Sequence, residues 1–92
     1  MAPRANYQDQ DFTVTEPLEL DAGVMLPKGT YPGALRWTEY DQPGGPPRIM
    51  SRRFVLPLSA EEVKRFGGKL GRTKKSLEID VSNYVENGLI TI

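Results

Sequence analysis

The side chains best equipped for chemistry in this sequence are its cations and its aromatic rings. Lys64, Arg65, Lys69, Arg72, Lys74 and Lys75 form a run of positive charge with no acidic residue between them, interrupted by Gly67, Gly68 and Gly71. Glycines allow close backbone approach, and Lys69, Arg72, Lys74 and Lys75 supply charge, which together suit a phosphate-contacting loop. The spacing is not that of a nucleotide-binding Gly-x-x-x-x-Gly-Lys-Ser/Thr loop, so nucleotide hydrolysis loses its main support. A solvated loop whose charges hold it off the core is the plainer account. It carries more weight, because the chain as a whole has a formal net charge of +0 and charge runs usually face water.

A second set consists of Arg36, Trp37 and Tyr40 on one extended segment and Arg48, Arg52 and Arg53 on another. Arginine and tyrosine dominate binding hot spots, because they bury large rigid area and make forked hydrogen bonds, and they also stack on single-stranded bases. Alternation puts Arg36 and Tyr40 on the face opposite Trp37, the only tryptophan, which is expected in the core. Arg52 and Arg53 are neighbours, so a regular strand sends them to opposite faces. Arg36, Tyr40, Arg48, Arg52 and Arg53 are therefore the candidate partner-binding residues, with the 41–47 loop beside them.

Catalysis ranks third. His 0 and Cys 0 remove the usual nucleophile–base pairs and nearly all zinc sites. Glu61 and Glu62 are accounted for by helix capping, Glu78 and Asp80 by the polar face of a strand, and the acids from Asp9 to Asp21 lack calcium-loop spacing. The chain is expected to be a non-enzyme with no cofactor and no metal.

The elements that position these residues are short. The 92 residues hold one core at most, and Gly 9 with Pro 8 implies frequent turns. Residues 1–10 are polar and read as a flexible lead-in, leaving 11–92 as a single small β-rich domain. Phe12, Val14, Leu18 and Leu20 alternate with polar residues as in a half-buried strand, broken near Glu16 and Pro17. Asp21-Ala22-Gly23 is a turn, Val24–Leu26 a short strand, Tyr31–Tyr40 a strand, and Asp41–Pro47, with three prolines and two glycines, a loop. Arg48–Leu56 resumes a strand, with Met50, Phe54 and Leu56 in one phase. Ser59-Ala60-Glu61-Glu62 is a capping box that opens a short helix ending at Gly67. Leu77, Ile79 and Val81 mark another strand, Ser82–Gly88 a helical turn, and Leu89–Ile92 a last strand.

This pattern predicts a mainly β domain with one short helix, built as a small barrel or strongly bent antiparallel sheet of SH3-like or OB-like type. The expected core is Phe12, Val14, Leu18, Leu20, Val24, Leu26, Leu35, Trp37, Phe54, Leu56, Val63, Phe66, Leu77, Ile79, Val81 and Leu89. Charge is split: residues 1–45 carry three basic and seven acidic side chains (net −4), residues 46–92 nine basic and five acidic (net +4). No run approaches the ~20 apolar residues of a membrane span, and the first residues lack the apolar stretch of a signal peptide. A cytoplasmic location is the default expectation. The leading functional expectation is a protein-binding module, such as an accessory subunit or small inhibitor that occupies a partner's surface. A nucleic-acid-binding barrel using the 64–75 loop is the alternative, and a sequence pI near 6.2 counts against it.

Overall fold

A computed structural model describes residues 3–92. The chain runs β1 (Arg4–Val14), β2 (Leu18–Glu19), a 3-10 turn (Asp21–Gly23), β3 (Met25–Leu26), β4 (Gly29–Tyr40), β5 (Arg48–Ser59), α1 (Ala60–Arg65), β6 (Ser76–Asp80) and α2 (Ser82–Glu86). An antiparallel four-stranded sheet has the order β1-β4-β5-β6, and β2 pairs with β3 alone. Among the described residues the fold is mainly β, as expected, with two short helices, the second lying where a helical turn was expected. The sheet order is open, and no closed barrel is found among the described residues. The expected last strand is reduced to one bridge, in which Thr13 and Thr91 exchange backbone bonds of 2.8 and 2.9 Å.

Residues 4–10, expected as a lead-in, belong to β1 and pair with Gly33–Glu39. Apart from Ala5 and the exposed Tyr7 their side chains are polar, so burial gives no alternating signal. The backbone ladder to β4 holds them instead.

The core lies on one face of the sheet, under α1, α2 and the β2–β3 hairpin. Phe12, Val14, Leu20, Val24, Leu26, Leu56, Leu58, Val63, Ile79, Val81 and Ile90 form it, with Leu18, Tyr31, Phe54, Phe66, Leu70, Leu77, Tyr84 and Val85 packed against it. Two corrections concern β4: Leu35 and Trp37 are only half-buried and lie outside the core cluster. A third concerns the C-terminus, where Leu89 is 51% exposed and Ile90 is buried in its place. The chain leaves α2 through Gly88 at φ 76°, which resets the phase of the residues that follow.

α1 forms where the sequence indicates. Ser59 Oγ accepts from the Glu62 amide at 3.2 Å, and Glu62 Oε1 accepts from the Ser59 amide at 3.0 Å. At the other end Gly67, at φ 80°, donates to Lys64 and Gly68 donates to Val63, the paired bonds of a Schellman cap. Val63 is thereby seated in the core, and the Phe66 carbonyl accepts from Met25 at 2.8 Å, tying helix to hairpin. Ser59→Ala is expected to destabilise the fold by about 0.5–2 kcal/mol, while Ser59→Asp preserves it. Urea titration of the two variants checks this.

Candidate functional site

The sheet has two unlike halves. Over Phe54–Ser59 β5 runs beside β6 and covers the core, but over Arg48–Arg53 it has only β4 as a neighbour. There β1, β4 and β5 make a three-stranded ribbon that carries the 41–47 loop at its end. The molecule is accordingly elongated, 49 × 33 × 17 Å.

Register decides which side chains share a face of this ribbon. Tyr7, Arg36 and Arg53 are direct neighbours across the three strands, as are Ala5, Thr38 and Met50, and Tyr40 stands opposite Arg48. All point to the outer face, away from the core side. Directly opposite residues share a face in an antiparallel sheet. Four of the five sequence candidates, Arg36, Tyr40, Arg48 and Arg53, are thus brought together.

Arg52 is not among them. Between the pairs Arg36–Arg53 and Thr38–Met50 the register shifts, so that Ser51 and Arg52 both stand opposite Trp37. This is a β-bulge, with Ser51 in the left-handed region at φ 58°. The extra residue inverts the phase of β5: Met50 shares a face with Arg53 and Val55, not with Phe54 and Leu56. Arg52 is left on the other side, in a pocket that is also lined by Leu35, Arg53, Phe54, Ser82 and Glu86.

The outer face is apolar as well as basic. Tyr7 is 71% exposed, Met50 41% and Tyr40 38%, and none of them contributes to the core cluster. Tyr7 and Met50 carry no sequence signal for this face: Tyr7 stands in a polar segment without alternation, and the bulge that turns Met50 outward has no glycine to mark it. Arg36 has a partner already: Nη1 donates to Glu78 Oε1 at 2.8 Å and Nη2 lies 2.5 Å from Oε2. A bridge from β4 to β6 must cross β5, and the residue at the crossing point is Val55, midway between Arg53 and Pro57 in register. Val55 is 4% exposed although it faces outward. Arg48 and Arg53 take part in no ion pair among the described residues.

Next to the ribbon the sheet divides, for a reason written in two prolines. Thr13 turns its backbone away from β4 to bond Thr91, so by alternation Thr30, Pro32 and Ala34 turn theirs toward β5. The Phe54 carbonyl accepts from Val81 on the β6 side, so Val55 and Pro57 turn toward β4. Ala34–Val55 is the last pair between these strands. The following hydrogen-bonded pair would be Pro32 with Pro57, and neither has an N–H to give. The strands part, and a groove of about 540 Å³ opens between them, lined by Tyr7, Asp9, Asp11, Tyr31, Pro32, Ala34, Arg36, Leu56, Pro57, Leu58 and Glu62 among others. Desolvation, followed by the nearby Glu62 charge, holds the Tyr31 hydroxyl above its usual pKa. That hydroxyl donates to the Pro27 carbonyl.

The basic loop lies elsewhere, between α1 and β6. Its ends are fixed: Lys69 donates to Ala22, and the Lys75 carbonyl accepts from Ala60. Lys69, Arg72, Lys74 and Lys75 are all exposed and join no ion pair among the described residues. Those residues also hold no group of three or more acids that could bind a metal ion, and no helix long and apolar enough to cross a membrane. The chain matches no family model, no curated protein and no solved structure.

Proposed function

We propose that this chain is a non-catalytic protein-binding module whose contact surface is the outer face of the β1–β4–β5 ribbon. The observation that supports this most is the clustering of Tyr7, Tyr40 and Met50 with Arg48 and Arg53 on a part of the sheet that covers no core. Tyrosine, methionine and arginine are the residue types enriched at protein interfaces. Here they sit on paired backbone, so little conformational entropy is lost on docking. An accessory subunit or an inhibitor that covers a partner's surface fits this arrangement.

Tyr40→Ala combined with Met50→Ala is expected to weaken partner capture by at least about tenfold, as loss of interface anchors does, with little change in melting temperature. Affinity capture from the native host, with and without nuclease, checks this. A nuclease-resistant protein partner lost in the double variant supports the module. A partner lost on nuclease treatment, or on reversal of Lys69, Arg72, Lys74 and Lys75 to Glu, supports nucleic-acid binding by the basic loop instead.

A further inference from the structure

We infer that the groove between β4 and β5 receives the guanidinium of an arginine from an extended segment of the partner protein. The groove is richer in hydrogen-bond acceptors than in free donors. Pro32 and Pro57 line it, lack N–H groups, and by the alternation of the two strands turn their carbonyls into the gap. Asp9 and Asp11, on the outer face of β1, and Glu62, at the start of α1, add carboxylates, and none of the three is ion-paired among the described residues. The cation at the rim among the described residues, Arg36, is held bidentately by Glu78, so its charge is offset and two of its five N–H donors are taken.

An acceptor-rich groove with net negative charge calls for a ligand that only donates. Ammonium and guanidinium groups both meet that description. The shape favours guanidinium: its planar fork bonds carboxylates and carbonyls in several directions and its face stacks on rings. The exposed ring of Tyr7 and the half-buried ring of Tyr31 border the groove. Tyr7 and Arg36 also border the neighbouring hollow on the ribbon, so the groove and the ribbon face are continuous. One bound segment can lie across both.

The inference rests on the outer face being a protein-binding face, yet it can be tested without the partner. A blocked glycine pentapeptide with a central arginine is titrated into the full chain labelled with nitrogen-15. The expected result is saturable amide shifts at Asp9, Asp11 and Ala34, absent with the citrulline counterpart, which keeps the shape but loses the charge. Asp9→Asn with Asp11→Asn, both at exposed positions, should weaken binding by about tenfold or more while the rest of the spectrum and the melting temperature stay unchanged. Absence of saturable shifts, equal shifts with citrulline, or equal or tighter binding of a lysine counterpart would overturn it. Tyr40→Ala and Met50→Ala leave this titration unchanged. A failed titration with intact partner capture therefore removes the arginine assignment alone.

Discussion

Phe12→Ala is expected to cost about 3–5 kcal/mol of folding stability, a large part of the roughly 5–15 kcal/mol available to a typical domain. Phe12 is 1% exposed and meets Phe54 edge to face at 5.9 Å between ring centroids. It also occupies the fork where β1 and β4 leave β5, so its ring fills space that no main-chain ladder spans. Truncation leaves a cavity walled by Phe54 and by the strand backbone at Gly33, and a paired strand cannot collapse to fill it. By contrast, Trp37→Ala should cost about 1 kcal/mol or less, because the indole lies half-exposed on the ribbon, outside the core. Thermal and urea denaturation of the two variants compare them directly. A larger loss from Trp37→Ala than from Phe12→Ala would mean that the core has been placed on the wrong half of the sheet.

Gly33→Ala is the second large effect. A Cβ at this position would lie 2.2 Å from Phe12 Cε2 and 2.7 Å from the Val55 carbonyl oxygen. The first contact is a packed ring and the second is backbone, so neither can yield cheaply. Overpacking of this kind typically costs about 1–3 kcal/mol, and the paired obstruction puts Gly33→Ala at the upper end. The glycine serves the fork itself, where the Phe12 ring passes under β4 just as its pairing with β5 ends. The double variant Phe12→Leu with Gly33→Ala should recover part of the loss, since a smaller side chain frees the space. Non-additive stabilities in that cycle would show the contact to be direct.

The parts of the fold that were legible in sequence are those whose signals are local. The capping box at Ser59, the glycine that ends α1, the alternation of Phe12 with Val14 and of Leu77 with Ile79, and the Pro- and Gly-rich loop at 41–47 each carry their cause in adjacent residues. The ribbon was not legible as a whole. The residues of β1 before Phe12 are polar apart from Ala5 and Tyr7, and only their partner strand makes them a strand. The bulge at Ser51 depends on a residue with no glycine signature, yet it decides that Arg53 and not Arg52 joins Arg36, Tyr40 and Arg48. The groove was invisible because it depends on two prolines 25 residues apart in sequence, Pro32 and Pro57, falling at the same rung of the β4–β5 ladder. Either proline alone reads as an edge signal; the register that aligns them is a property of the folded sheet.

The most direct measurement is site-specific photo-crosslinking in the native host. A photoreactive phenylalanine analogue is placed in turn at Met50 on the outer face, at Arg52 on the opposite face, and at Arg72 in the basic loop. All three positions are exposed, so each variant should fold. A discrete protein adduct from position 50 that is absent from positions 52 and 72 is the predicted result. Adducts to nucleic acid from position 72, with none to protein from position 50, would contradict the assignment of the ribbon face as the binding surface.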